Sequence, residues 1–253
     1  VLQTTHMTHA IKIDQLKFCY NPDHPVLSID SLQILEREKV FLYSPSGSGK
    51  TTLLGLMAGI HRPVDGTVEI LGRQTNALKD AEIDRLRGVH MGYIFQQLNL
   101  LPYLTLYQNI ELPCRLHKER NRRASREGSL QEAIHHLARH LEIDHRLQNL
   151  PSEVSTGEMQ RAAAARALIG EPEIILADEP TSALDADRTQ AFVKLLIENS
   201  QNTTLVFVSH DRSLESYFER SVDLLSINKA SGTADSTLVG PKRTGKSGGK
   251  GRQ

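Results

Sequence analysis

Short apolar runs bounded by turn residues alternate along this chain with segments of helical spacing. Ile11 to Tyr20, Val26 to Leu35 and Val40 to Tyr43 are β-compatible, and Asn21-Pro22-Asp23 makes a turn between the first two. Leu53 to Ile60 is helix-like, and Pro63-Val64-Asp65-Gly66 then turns the chain into a strand at Thr67 to Leu71. A short polar helix over Asp80 to Arg87 precedes a strand at Tyr93-Ile94-Phe95. From Leu98 to about Pro151 the chain becomes helical and polar, with Leu130, Ala133, Ile134, Leu137 and Leu141 spaced along one helix face. Helix and strand then alternate: Glu158 to Ile169, Ile174 to Ala177, Thr189 to Ile197, Leu205 to Val208. Such alternation predicts an α/β fold, a parallel sheet with crossover helices.

The junction after Val40 to Tyr43 carries the strongest chemical signal. Ser44-Pro45-Ser46-Gly47-Ser48-Gly49-Lys50-Thr51-Thr52 links a strand to a helix through small residues and ends in Gly-Lys-Thr. Backbone amides of such a loop turn inward, and the helix N-terminus adds positive potential, which together cradle phosphate. Ser46, Gly47, Ser48, Gly49, Lys50, Thr51 and Thr52 are the candidate cradle residues, with Lys50 reaching the outer phosphates and the Thr51 hydroxyl on Mg²⁺. The P-loop pattern opens on Gly where this chain has Ser44. A residue before proline is held in extended geometry, so Ser44 is expected to end the strand without a positive φ.

Bulk properties narrow the class. The 253 residues can bury a sizeable core. Thirty basic residues balance thirty acidic ones, so nothing global draws the chain to nucleic acid. Cys19 and Cys114 form no spaced framework and are expected to be reduced thiols inside a cell. No run approaches the roughly 18 apolar residues of a membrane span, and Val1 to Ala10 lacks the apolar stretch of a signal peptide. A cytoplasmic chain that meets a membrane only through a partner is expected. His6-Met7 suggests a cloning junction with the native start at Met7, and Pro241 to Gln253 is Gly- and Lys/Arg-rich with the composition of a disordered end.

Further candidates follow in order. Asp178 and Glu179 close the apolar run Ile174 to Ala177; beside a P-loop the first would hold Mg²⁺ and the second would polarise the attacking water. Ser155 and Glu158 form a capping box ahead of an alanine-rich helix, and the same helix N-terminus, with Gly157, can hold an anion. His210 follows the strand Leu205 to Val208, where it can reach a γ-phosphate. Gln96 follows Tyr93-Ile94-Phe95, within reach of metal or water.

With these five segments, the chain resembles the ATP-binding subunits of ABC transporters over about residues 11 to 228. The resemblance implies a P-loop NTPase core of the RecA-like kind, an N-terminal antiparallel β subdomain and an inserted helical subdomain at about 98–155. The whole cassette would span 8–230, ahead of a tail at 231–253. It also implies that Gln96 is the Q-loop glutamine, Val154 to Glu158 the signature, Asp178 the Walker B aspartate, Glu179 the catalytic glutamate and His210 the switch histidine. Tyr20 sits where the family places an aromatic on adenine, and Ser182-Ala183-Leu184-Asp185 matches the D-loop. Two copies would then sandwich ATP, with Ser155 and Gly157 of one capping the nucleotide of the other, and would drive integral-membrane permease subunits. Phe95 to Pro102 and Leu176 to Thr181 are similar to the lipoprotein-releasing, macrolide-exporting and cell-division branch. A non-transport complex of the cell-division or signalling kind, or a weakly active nucleotide-binding regulator, would carry the same chemistry.

The signature departs from Leu-Ser-Gly-Gly-Gln at Val154, Thr156 and Glu158. Together with Ser44, this points to slow hydrolysis; Lys50, Asp178, Glu179 and His210 are all present. Leu98, Leu100, Leu101 and Leu104 are either a small local core or a groove for a permease helix. The basic stretch Lys118 to Arg126 is expected to be a solvated face. His135, His136 and His140 lack the further ligands of a metal site.

Overall fold

The computed structural model describes residues 8–22 and 24–230. The suggested start at Met7, turn residue Asp23 and the tail 231–253 lie outside the described residues.

Two sheets organise the chain. In the first, β1 (His9–Asn21), β2 (His24–Leu35), β4 (Asp65–Ile70) and β5 (Arg73–Gln74) run antiparallel in the order β2-β1-β4-β5. In the second, β3 (Lys39–Tyr43), β6 (Met91–Ile94), β7 (Ile174–Asp178), β8 (Thr204–Ser209) and β9 (Arg220–Asp223) run parallel in the order β6-β7-β8-β3-β9. Strands buried on both faces need continuous apolar sequence. That is why β7 and β8 are buried along their whole length.

Because side chains alternate across a strand, the parallel sheet has a core on each side. Val40, Leu42, Ile174, Leu176, Val206 and Val208 face one core, which they share with α1 (Lys50–Met57) and the inner face of the antiparallel sheet. Phe41, Ile175, Ala177, Leu205 and Phe207 face the other, shared with α6 (Thr156–Leu168) and α7 (Ala186–Glu198). The remaining helices are α2 (Asp80–His90), α3 (Leu106–Leu116), α4 (Lys118–Ala124), α5 (Leu130–His140) and α8 (Leu224–Ile227).

Residues 98–155 hold α3, α4 and α5. The N-caps of α3 and α5 are capping boxes, Thr105 with Gln108 and Ser129 with Glu132. The basic stretch corrects its reading as a solvated face. Lys118, Arg122 and Arg126 are exposed, but Arg120 is only 2% exposed. Its guanidinium donates to the carbonyls of Met91 and Ile169 at 2.7 Å and of Ala167 at 2.5 Å, with Gly88 and Arg166 further out at 3.4 and 3.5 Å. Arg123 reaches Val89 O at 2.5 Å and Glu173 at 2.9 Å. These carbonyls belong to the C-terminal ends of α2 and α6, where helix carbonyls lack intrahelical donors and the dipole is negative. Burial brings the Arg120 pKa down to about 10. The two arginines pin the inserted helices to the core.

Leu98 and Leu100 are half-buried against the second core, which favours local packing for that pair. The helix after the P-loop starts at Lys50, three residues earlier than the apolar spacing suggests, and β9 was not anticipated.

Candidate active site

The carboxyl ends of four parallel strands converge, the usual place for a ligand in an open α/β sheet. β3 delivers the P-loop, β6 delivers Gln96, β7 delivers Asp178 and Glu179, and β8 delivers His210. Backbone bonds hold the ends in register: Ser44 N donates to Ser209 O at 3.2 Å, and Glu179 N donates to Val208 O at 3.0 Å. Ser44 is buried, has no positive φ, and its hydroxyl meets that of Ser48 in a short hydrogen bond. The hydroxyl therefore closes the loop on itself at the position where a glycine would leave a gap.

Gly49 caps α1 with φ 92°, a left-handed conformation that glycine adopts without steric cost. No side chain caps this helix and no acid lies in its first turn. First-turn amides have no intrahelical partner, so those of α1 are free to meet an anion. Tyr20, 61% exposed, stands over this helix with its hydroxyl 3.2 Å from Thr52 Oγ1 and 3.4 Å from His61 Nε2. Its ring is edge-on to Phe18 at 5.0 Å, which leaves the ring accessible.

At the centre, the Lys50 ammonium pairs with Glu179 Oε1, and His210 Nδ1 lies 3.3 Å from Glu179 Oε2. Thr51 Oγ1 donates to Asp178 Oδ2 at 3.0 Å. Asp178 and Glu179 are each 5% exposed. Burial raises the Asp178 pKa, against the Thr51 hydrogen bond and the Lys50 charge, and burial lowers that of Lys50, against the Asp178 charge. Glu179 has φ 42°, rare for a side-chain-bearing residue and a strain that tends to collect at functional sites.

Asp178 Oδ1 is buried without a hydrogen-bond partner. An orphaned anionic oxygen next to a threonine hydroxyl is a donor set of the hard, oxygen-rich kind that Mg²⁺ takes, so these residues fit the ion. Gln96 is exposed in the turn after β6.

The signature segment lies elsewhere on the surface. Ser155 caps α6, and Glu158 Oε2 accepts from Ser155 N and Ser155 Oγ, both at 2.8 Å. Arg146 Nε donates to Glu158 Oε1 at 2.8 Å. Hydrogen bonds from Ser155, joined by Arg146, hold the Glu158 pKa down at about 2. Ser155 and Thr156 are exposed, and a Cβ added at Gly157 would meet nothing within 4 Å. Within one chain, then, Lys50, Thr51, Asp178, Glu179 and His210 come together, while Ser155 and Gly157 form a separate open surface.

Two residues of α6 that the sequence reading passed over tie it to this site. Gln160 Nε2 donates to Pro180 O at 2.7 Å, beside Glu179. Arg166 donates to Leu98 O at 2.5 Å and Asn99 O at 2.6 Å, beside Gln96. The only hint in the sequence was Arg166 breaking the run Ala162 to Ala167; Gln160 lies outside that run.

The family model described as ABC transporter matches residues 27–182. The chain belongs to the ABC transporter family. Its membership makes it an ATPase subunit with the family's P-loop NTPase fold, as the motifs implied. The lipoprotein-releasing system ATP-binding protein LolD of Hydrogenovibrio crunogenus is 35% identical over 226 residues, covering 88% of this chain and 93% of the relative. The probable syringafactin export ATP-binding/permease protein SyfD of Pseudomonas syringae is 36% identical over 203 residues, 80% of this chain but 30% of that one. Among solved structures, the dimeric bacterial ABC transporter cassette MJ0796 aligns with a TM-score of 0.70 at 34% identity, covering 84% of this chain and 93% of that chain. Its post-hydrolysis dimer bound to ADP and Pi aligns with a TM-score of 0.71 at 31% identity, over the same shares. Among the described residues no helix is long and apolar enough to cross a membrane.

Proposed function

We propose that two copies of this chain close around ATP and drive a permease at the inner face of a cell membrane, in envelope export or lipoprotein release. The observation that carries the reading is the buried meeting of Lys50, Thr51, Asp178 and Glu179, with His210 alongside. The cassette would span 8–230, with 98–155 as its helical subdomain. LolD, by its name, belongs to a lipoprotein-releasing system, and SyfD, by its name, joins ATP-binding and permease roles in one chain.

In this reading the amides at Gly47, Gly49 and the start of α1 hold the phosphates, with Ser46, Ser48 and Thr52 lining the loop. The exposed Tyr20 ring stacks on the base. The Lys50 ammonium leaves Glu179 for the outer phosphates, and the freed carboxylate accepts a proton from the attacking water. His210 donates a hydrogen bond to the γ-phosphate. Thr51, Asp178 and Gln96 would hold Mg²⁺, which when bound neutralises charge on the phosphate oxygens. Ser155 and Gly157 of the second copy supply donors that the first copy lacks, which accounts for a signature surface left open within one chain.

A groove of about 220 Å³ between α2, β6, α3 and α6, lined by Gly92, Tyr93, Leu112, Pro113 and Leu116, suits a permease segment. Sedimentation of Glu179→Gln with Mg·ATP and with Mg·ADP tests the dimer. We expect a dimer with ATP only; a monomer that still binds ATP would count against the sandwich.

A further inference from the structure

Arg166 is half-buried on α6, and its guanidinium serves neither a carboxylate nor the helix it sits on. Burial lowers its pKa, and no carboxylate offsets that cost. It donates instead to Leu98 O and Asn99 O, the second and third residues beyond Gln96. Those two residues hold left-handed backbones, φ 57° and 48°. For a branched apolar residue such as Leu98 this conformation is rare and persists only where the surroundings enforce it, whereas asparagine adopts it more readily. A planar fork gripping two successive carbonyls is such an enforcement.

We infer that Arg166 is a positioning residue for ATP hydrolysis: it fixes the turn carrying Gln96 to the helix whose N-terminus is Ser155. Two neighbouring contacts support a rigid link. Gln160, six residues earlier on α6, holds Pro180 O beside Glu179. On the other side of the segment, buried Asn109 bonds the carbonyls of Leu101, Leu104 and Thr105 at 3.0–3.1 Å. The Gln96 turn therefore moves with α6. Arg166 also lines the groove between α3 and α6, so an occupant there touches the same guanidinium. The inference rests on the proposed placement of Gln96 at metal or water.

The test is a double-mutant cycle on the full chain, with kcat, KM for ATP and the Mg²⁺ concentration for half-maximal rate as readouts. Arg166→Gln should lower kcat about tenfold or more, the scale of a misplaced group, and should raise the Mg²⁺ requirement. Binding of a fluorescent ATP analogue should stay within about twofold, because the P-loop is untouched. Arg166→Lys should recover only part of the rate, since an ammonium cannot span both carbonyls. Asn99→Gly, which leaves the guanidinium in place but loosens the turn, should shift the Mg²⁺ requirement the same way. In a Gln96→Ala background, Arg166→Gln should have little further effect. Additive losses, or a loss of kcat that tracks nucleotide affinity and melting temperature, would overturn the positioning role. If Gln96→Ala alone changes nothing, the placement of Gln96 falls with it; if Gln96→Ala matters and Arg166→Gln does not, only the link falls.

Discussion

Lys50 and Glu179 neutralise each other in the protein on its own, with side chains only 12% and 6% exposed. An ammonium held by a carboxylate is not available to a phosphate, so in the proposed reading the triphosphate replaces Glu179 as the anion facing Lys50. That exchange would free Glu179 Oε1 beside the place where water would attack, with Oε2 3.3 Å from His210 Nδ1. Glu179→Gln removes the competing charge along with the proton acceptor. Nucleotide affinity should hold or rise, while single-turnover hydrolysis slows by roughly 10²–10⁴, the scale of a general base. Hydrolysis at the unaltered rate would remove Glu179 from the chemistry.

Gly157 separates the needs of folding from those of the proposed pairing. Its position is helical, and an added Cβ meets nothing within 4 Å in this chain. Gly157→Ala should therefore leave the melting temperature unchanged or raise stability by up to about 1 kcal/mol. ATP-dependent dimerisation and ATPase should fall by about tenfold, equivalent to ~1.4 kcal/mol of lost contact. A variant with full activity would show that nothing approaches this surface.

Arg120 carries a structural load that exposed Arg122 does not. Removing its guanidinium strands buried carbonyls at the ends of α2 and α6, at about 1–3 kcal/mol for each group left unsatisfied. Arg120→Ala should lower unfolding free energy by about 3 kcal/mol or more in a denaturant titration. Arg122→Ala, at an exposed position two residues on, should stay within about 0.5 kcal/mol. Equal effects would return the basic stretch to a solvated face.

Glu158 sets a pH dependence of known sign. Its folded pKa of about 2 lies below the ordinary value of 4.5, so the unfolded chain takes up the proton more readily. Its contribution is fully present above pH 4.5 and is lost as pH falls toward 2. Thermal melts of Glu158→Gln and wild type should differ at neutral pH and converge across that window. A gap that persists to the acid end would mean the carboxylate charge is not what stabilises the cap.

Much of the fold was legible in the chain because buried parallel strands leave continuous apolar runs, as at Ile174 to Ala177 and Leu205 to Val208. The P-loop, Asp178, Glu179 and His210 stood out because each follows such a run. Residues 98–155 were harder. Their helices are short and polar, although Thr105 with Gln108 and Ser129 with Glu132 offered readable starts at capping-box spacing. β9 escaped because Arg220 to Asp223 is polar and acquires strand geometry only by pairing with β3. Arg120, Arg123 and Arg166 escaped for a different reason. A guanidinium packed against carbonyls has the same letter as one in water, and only the arrival of helix ends or a turn from distant parts of the chain distinguishes them.

The parallel sheet acts as a bulkhead. α1 leans on one side of it and the Ser155 helix on the other, so the two halves share a wall but little filling. Loosening one compartment, by trimming Phe207 for example, should soften the packing around the Ser155 helix more than that around α1, and the ties from Gln160 and Arg166 are where such softening would reach the strand ends.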